Sequence, residues 1–226
     1  MTRGVLVAAR MDSKRLPGKA LLPLGGIPML AYLIRRLKPS RLAPFMALAT
    51  TTKGEDDALA ALAESEGIKV FRGDEHDVVK RYVEAASHFR LSEVVRVTAD
   101  CPFVSAETLD YVLAHCDADP GYDLATTKKH FPVGIDYEIY PASGMELLHE
   151  GGPLTAEDRE HLTLHMDRRR NAFIVKEISP PLMWREPGIS FTVDTLEDYE
   201  RARRLVDALG PEPYSTEALL KAARLS

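Results

Sequence analysis

The chain has only two cysteines in 226 residues, Cys101 and Cys116, spaced neither as metal ligands nor as a redox motif. A disulfide-stapled secreted scaffold is therefore excluded, and a reducing compartment is the expectation. No apolar run approaches the roughly 18–20 residues needed to cross a bilayer. The first apolar stretch is too short for a signal segment and ends in charge. A cytoplasmic protein without membrane insertion is expected. Positive charge is not in excess either: 29 Lys and Arg against 34 Asp and Glu give a net charge of −5. That argues against a surface built throughout to grip nucleic acid. A local cationic pocket stays open, because the field at a site depends on the residues around it. The glycine signatures of phosphate loops are also missing. Neither Gly-x4-Gly-Lys-Ser/Thr nor Gly-x-Gly-x-x-Gly occurs, and Gly25-Gly26 between Leu24 and Ile27 reads as a β-turn. There are no repeats, low-complexity tracts or visible seams, so residues 1–226 read as one domain.

What is present is an ordinary globular composition, 45% apolar and 28% charged. Residues 4–9 form a short apolar run that predicts a buried first strand. Pro28 marks a helix start for 29–37, and 45–49 predicts a second strand. Residues 55–66 are rich in Ala, Leu and Glu and stop at Gly67, as a helix would. Strand, helix, strand and helix are then predicted at 69–71, 78–89, 94–97 and 105–116, with Ser105 as N-cap of the last. This alternation predicts an α/β fold, a mostly parallel central sheet flanked by helices. The second half is less regular. Residues 133–140 alternate like a strand with one wet face. Residues 154–168 read as a helix opened by Thr155 and Asp158, and 173–178 and 189–193 as strands. Thr195 with Asp198 opens a helix to Leu209. Pro211 and Pro213 break the chain before a last helix from Ser215.

The densest chemistry is Arg10-Met11-Asp12-Ser13-Lys14-Arg15-Leu16-Pro17-Gly18-Lys19, placed where the first strand ends. In open α/β sheets ligands bind at the carboxyl ends of strands. Arginine forks, lysine point charges and a hydroxyl there suit an anion with several oxygens, such as a nucleoside triphosphate. Gly18 allows close backbone approach and Pro17 stiffens the turn. Asp100, in Thr98-Ala99-Asp100-Cys101-Pro102, follows the fourth predicted strand and faces the same crevice. Mg²⁺ is held by one or two carboxylates plus substrate phosphates, so Asp100 is a candidate ligand; it would equally serve to cap the turn before Pro102. Asp194 leaves a predicted strand as a helix begins. It becomes a second metal candidate only where that strand lies near Asp100, and helix capping explains it otherwise.

Taken in order, Arg10-x4-Arg15-Leu16-Pro17-Gly18-Lys19, Asp100-Cys101-Pro102 and Val193-Asp194-Thr195-x-Glu197-Asp198 resemble the sugar cytidylyltransferase superfamily. That group includes the synthetases of CMP-Kdo and CMP-sialic acid. The chain is most similar to its SpsF-like branch, named for spore coat polysaccharide biosynthesis. Further matches to that branch are Thr50-Thr51-Thr52, Glu55-Asp56-Asp57, Val70-Phe71-Arg72-Gly73, Asp77-Val78, Phe131-Pro132-x-Gly134-x-Asp136 and Arg159-Glu160-His161. The resemblance implies a nucleotide-diphospho-sugar transferase (GT-A-like) fold. Its nucleotide-binding half would span 1–120 and its acceptor-sugar half 121–210, with a tail helix in 211–226. The implied reaction joins a sugar hydroxyl to the α-phosphate of CTP and expels pyrophosphate, in surface polysaccharide biosynthesis. By matching position, Arg10, Arg15 and Lys19 would hold the triphosphate, Ser13 would hydrogen-bond it, and Asp100 and Asp194 would hold Mg²⁺. The pyrimidine would rest against backbone near Ala8, Ala9 and Thr98. Asp136 or Glu138 would accept hydrogen bonds from sugar hydroxyls, unless they are simply outward carboxylates of a half-buried strand. Arg159, Glu160 and His161 would line the acceptor pocket or a subunit contact. Relatives pair as dimers, so a homodimer is one option.

The chain departs from the branch at Asp12, where glycine is usual, at Lys14, where threonine is usual, and at Val133, where an aspartate is common. A carboxylate inside a triphosphate loop repels its ligand unless it points out or pairs with Lys14. Two rival readings follow: a glycosyltransferase using a ready-made nucleotide-sugar, and a nucleotide-binding relative that has lost turnover, for which Asp12 is the main support. The first is disfavoured because Asp100 begins no Asp-x-Asp motif. His161-x3-His165 has a spacing that can bind zinc, without the His-Glu-x-x-His order. Trp184 reads as packing beneath a Pro-rich loop, Cys101 as a small buried side chain, and Arg168-Arg169-Arg170 as a solvated helix end.

Overall fold

A computed structural model describes residues 2–150, 154–160, 162–210 and 213–225. The strands are β1 (Arg3–Ala8), β2 (Pro23–Leu24), β3 (Ile27–Pro28), β4 (Phe45–Thr51), β5 (Lys69–Gly73), β6 (Glu93–Thr98), β7 (Leu124–Thr126), β8 (Glu138–Pro141) and β9 (Val175–Glu177). The helices are α1 (Met29–Leu37), α2 (Asp57–Ser65), α3 (Val78–His88), α4 (Ala106–Ala118), α5 (Ala142–Glu150), α6 (Ala156–Glu160), α7 (Leu162–Arg168), α8 (Leu196–Leu209) and α9 (Thr216–Leu225).

Seven strands form one sheet in the order β5-β4-β1-β6-β8-β7-β9. The first four are parallel to one another. β8 runs against both neighbours, and β7 and β9 are again parallel. The sheet is thus mostly parallel, as the β-α-β-α pattern predicts. Period-2 alternation divides its side chains between two cores. Val5, Val7, Val95 and Val97 face the layer built with α1, α2, α4, α8 and α9. Leu6, Ala47 and Val94 face the layer built with α3, α5 and α7. Central strands buried on both faces need continuous apolar runs, which is why residues 4–9 and 94–97 look as they do.

Local signals set the helix ends. Ser105 accepts a hydrogen bond from the Thr108 amide to open α4. Thr195 and Asp198 form a reciprocal capping box at α8. Gly67 ends α2 with φ +73°, its amide donating to the Glu64 carbonyl. Gly25 and Gly26, both at positive φ, make the two-residue turn between β2 and β3. Among the described residues no helix is long and apolar enough to cross a membrane.

Two predicted strands are corrected. Of 133–140 only 138–140, the start of β8, is strand, and its wet face does not exist: Glu138 is 2% exposed. Residues 189–193 form no strand and meet the other segment through a single bridge, Val133 to Ser190. The cause is Gly134, at φ +86°, whose bare Cα lies so close to the Phe191–Thr192 backbone that an added Cβ would fall 2.7 Å from the Thr192 nitrogen. That turn interrupts the extended backbone, and the polar positions 136 and 138 line a cavity. The short strand β7 and helix α5 have no counterpart among the predicted elements.

Candidate active site

The strands β1, β4 and β6 end together: Ala8 pairs with Ala49 on one side and Thr98 on the other. Everything that follows them therefore opens on one edge. The cation loop leaves β1 there and is strapped down twice. The Thr50 hydroxyl donates to the Ala9 carbonyl at 2.9 Å. The Met11 amide donates to Asp56 Oδ1 at 2.7 Å, while Asp56 Oδ2 takes the amide and hydroxyl of Thr51. The loop closes on itself through the Met11 carbonyl, which accepts from the amides of Ser13 and Gly18 at 2.9 and 3.0 Å. Gly18 has φ +69°, a conformation that favours glycine, and delivers Lys19 inward on a 3₁₀ turn.

Lys19 is the focal point. Its ammonium lies 3.2 Å from Asp100 Oδ2 and 3.0 Å from Asp194 Oδ1, and donates to the Val193 carbonyl at 2.9 Å. Arg15 pairs with the same Asp194 oxygen at 2.9 Å. Asp194 is brought there because the Val193 amide donates to the Asp100 carbonyl at 2.8 Å and the capping box fixes the backbone just beyond. The condition set for Asp194, nearness to Asp100, is met. Burial would push the Asp100 carboxyl up, but the Lys19 ammonium, helped by hydrogen bonds, outweighs it and holds Asp100 below the usual carboxylate range.

These groups line one cavity of about 350 Å³. Its walls carry Ala8, Ala9, Arg10, Ser13, Lys14, Arg15, Lys19, Thr98, Asp100 and Asp194. Every residue proposed for the triphosphate, the base and the metal is therefore in one hollow. Asp12 is exposed and not on its wall. The cavity also has Val78, Arg81 and Arg96 on its wall, none of which the motifs pointed to. A signal existed for both arginines. Arg96 interrupts an apolar central strand, and Arg81 falls on the inner face of α3, three residues after Val78. Charged residues are rarely buried there without a reason.

A second cavity of about 190 Å³ adjoins the first and shares Arg96, Thr98 and Asp100 with it. Asp136 and Glu138 line it, with Lys128, Cys101, Val133 and Thr192. Glu138 is already engaged: Oε2 accepts from Arg96 Nη1 and Oε1 pairs with Lys128, each at 2.6 Å. Burial raises its pKa, but the two cations together hold it below the usual range. Asp136 accepts from the Gly134 amide at 2.7 Å, and burial leaves its carboxyl above the usual range. The Cys101 thiol is pushed well up by burial beside Asp100, as fits an unreactive side chain.

Arg159 is on neither wall; its guanidinium pairs with Asp77, the N-cap of α3. The Glu160 side chain and all of His161 lie outside the described residues. His165 is buried 3.5 Å from Asp158. Among the described residues no group of three or more His, Cys, Asp or Glu side chains is placed to hold a metal. Trp184 packs edge-on against Tyr111, with ring centroids 5.3 Å apart.

The sequence pattern of a family described as cytidylyltransferase matches residues 4–224. The spore coat polysaccharide biosynthesis protein SpsF of Bacillus subtilis (strain 168) is 34% identical over 213 residues, 92% of this chain and 88% of that protein. A cytidylyltransferase structure from Leptospira borgpetersenii serovar Hardjo-bovis (strain JB197) is similar with a TM-score of 0.93 at 30% identity, covering 100% of this chain and 94% of the other. The structure of CMP:2-keto-3-deoxy-manno-octonic acid synthetase complexed with CTP has a TM-score of 0.69 at 19% identity over 92% of this chain and 99% of its own, a likeness of fold.

Proposed function

The chain belongs to the cytidylyltransferase family, and we propose that it transfers CMP from CTP to a hydroxyl of a sugar or sugar acid, with release of pyrophosphate, for a surface polysaccharide. The observation that carries this is the gathering of Lys19, Asp100 and Asp194 within hydrogen-bond reach on the cavity under the cation loop. The cytidylyltransferase named for one structural neighbour and the CTP bound by another support the choice of nucleotide.

The division of labour follows from the walls. Arg10, Arg15 and Lys19 hold the β- and γ-phosphates, and Ser13 adds a hydroxyl. The backbone near Ala8, Ala9 and Thr98 receives the pyrimidine. The smaller cavity takes the acceptor, with Asp136 as the carboxylate left to accept from its hydroxyls. Little covalent chemistry is asked of the protein; positioning and charge neutralisation suffice for phosphoryl-type transfer. Mg²⁺ fits the donor set. Asp100 and Asp194 are oxygen ligands that already close around one cation, the Lys19 ammonium, and a hard divalent ion takes one or two carboxylates with phosphate oxygens. When bound, it would neutralise phosphate charge and polarise the phosphorus under attack. A cytoplasmic location belongs to the same reading. The non-catalytic alternative loses its main support, because Asp12 does not line the cavity.

The test is to incubate the protein with Mg²⁺, each nucleoside triphosphate in turn and a panel of sugars and sugar acids, and to follow pyrophosphate. CTP-dependent release with one acceptor is the expected result. Absence of binding by every nucleotide at millimolar concentration overturns the reading, and release of nucleoside diphosphate from a nucleotide-sugar moves it to glycosyl transfer.

A further inference from the structure

We propose that Arg96 is a catalytic residue of this transfer, reaching the α-phosphate and the incoming acceptor oxygen from the wall between the two cavities. The inference rests on the nucleotidyl-transfer reading above. Three of the residues described line both cavities, Arg96, Thr98 and Asp100, and Arg96 is the one that carries a positive charge. The wall common to a nucleotide site and an acceptor site is where the two reactants must meet.

Arg96 sits between Leu6 of β1 and Glu138 of β8, in the middle of the sheet. Its Nη1 donates to Glu138, yet its buried Nε has no acceptor among the described residues. Pairing with Glu138 does not account for it, because Lys128 already neutralises the same carboxylate from the other oxygen. Two cations share that carboxylate, and 17% of the Arg96 side chain reaches open space. Glu138, itself anchored by Lys128, holds the guanidinium's place before substrate arrives, so little reorganisation is needed during the reaction.

In the step itself the acceptor oxygen forms a bond to the α-phosphorus. The bond from that phosphorus to the α–β bridging oxygen breaks, and its electron pair leaves on pyrophosphate. The hydroxyl proton passes to solvent. Negative charge grows on the non-bridging α-oxygens meanwhile, and a planar guanidinium can donate to two oxygens at once.

The experiment compares the wild type with Arg96→Met, Arg96→Lys and the double variant Arg96→Met/Glu138→Gln, by pyrophosphate release, calorimetric CTP binding and thermal melting. Arg96→Met is expected to lose about 100-fold or more in kcat, the scale of one preorganised donor, with CTP affinity nearly unchanged. Arg96→Lys recovers part of the loss. The double variant melts below Arg96→Met, because Lys128 then loses its carboxylate, and recovers no kcat. Recovery of kcat in the double variant, or an unchanged kcat in Arg96→Met, overturns the proposal and reduces Arg96 to a structural partner of Glu138. A wild type that releases no pyrophosphate from any nucleotide overturns the transfer reading, and the role of Arg96 with it.

Discussion

Replacing Lys19 by methionine removes a cation that Asp100 and Asp194 share while keeping most of the side chain's volume. Three ammonium contacts are lost, at 3.2, 2.9 and 3.0 Å. Breaking a fully buried pair from one side costs about 3–5 kcal/mol. Here the carboxylates keep 28% and 26% of their exposure, so solvent offsets part of the loss and about 1–3 kcal/mol is expected. In a chain of this size each kilocalorie lowers Tm by roughly 2–4 °C. Triphosphate binding loses one charged contact, about 1.5–3 kcal/mol, or roughly 10- to 150-fold in Kd. Binding of a divalent cation without nucleotide moves the other way, because the ammonium that competes for both carboxylates is gone. Calorimetric titration of CTP, and separately of Mn²⁺, into wild type and variant reads both signs, with melting curves as the folding control. An unchanged CTP Kd in a variant of normal stability would refute the placement of Lys19 at the phosphates. Weaker Mn²⁺ binding in the nucleotide-free variant would refute the idea that its ammonium stands where a metal can stand.

Three further outcomes are expected. Glu138→Gln takes from Arg96 and Lys128 the carboxylate they share; with 42% of Lys128 exposed, it destabilises by about 1–3 kcal/mol at neutral pH. Because the wild-type carboxyl is held low, its contribution is present above the unfolded value of about 4.3 and lost as pH falls through the folded one. The stability gap in urea titrations therefore narrows below about pH 4; a gap independent of pH contradicts the assignment. Asp56→Ala frees the Met11 amide and the Thr51 hydroxyl from a carboxylate that is 1% exposed. It is expected to cost about 1–3 kcal/mol and to raise KM for CTP, as read by melting and initial rates. Asp12→Gly leaves CTP affinity within about threefold, less than 1 kcal/mol, because the carboxylate does not line the cavity; calorimetry giving a tenfold gain contradicts that.

Much of the fold of residues 1–120 was legible in the sequence, since local rules and tertiary demands agree there. Buried parallel strands require unbroken apolar runs, and the caps at Ser105 and Thr195 are written in side chains next to the helices they open. The gathering of the candidate site residues was legible for the same reason. Residues following parallel strands of one sheet open on one edge, so the loop after β1 and Asp100 after β6 had to face each other. Residues 121–210 were less readable. Alternation at 133–140 resembles a half-wet strand, but Glu138 pairs with Lys128 and with Arg96, a residue on a different strand. The backbone contact at Gly134 that breaks the strand depends on residues 191 and 192. Asp56 matched a family pattern without a role, and its role is seen only once β4 lies beside β1.

A crystal structure of the protein with CTP and Mg²⁺ tests the central claim most directly. The account predicts the triphosphate in the cavity beneath the cation loop, its oxygens on Arg10, Arg15 and Lys19 and its metal on Asp100 and Asp194. Phosphates bound elsewhere, with Lys19 still lodged between those two carboxylates, would contradict it.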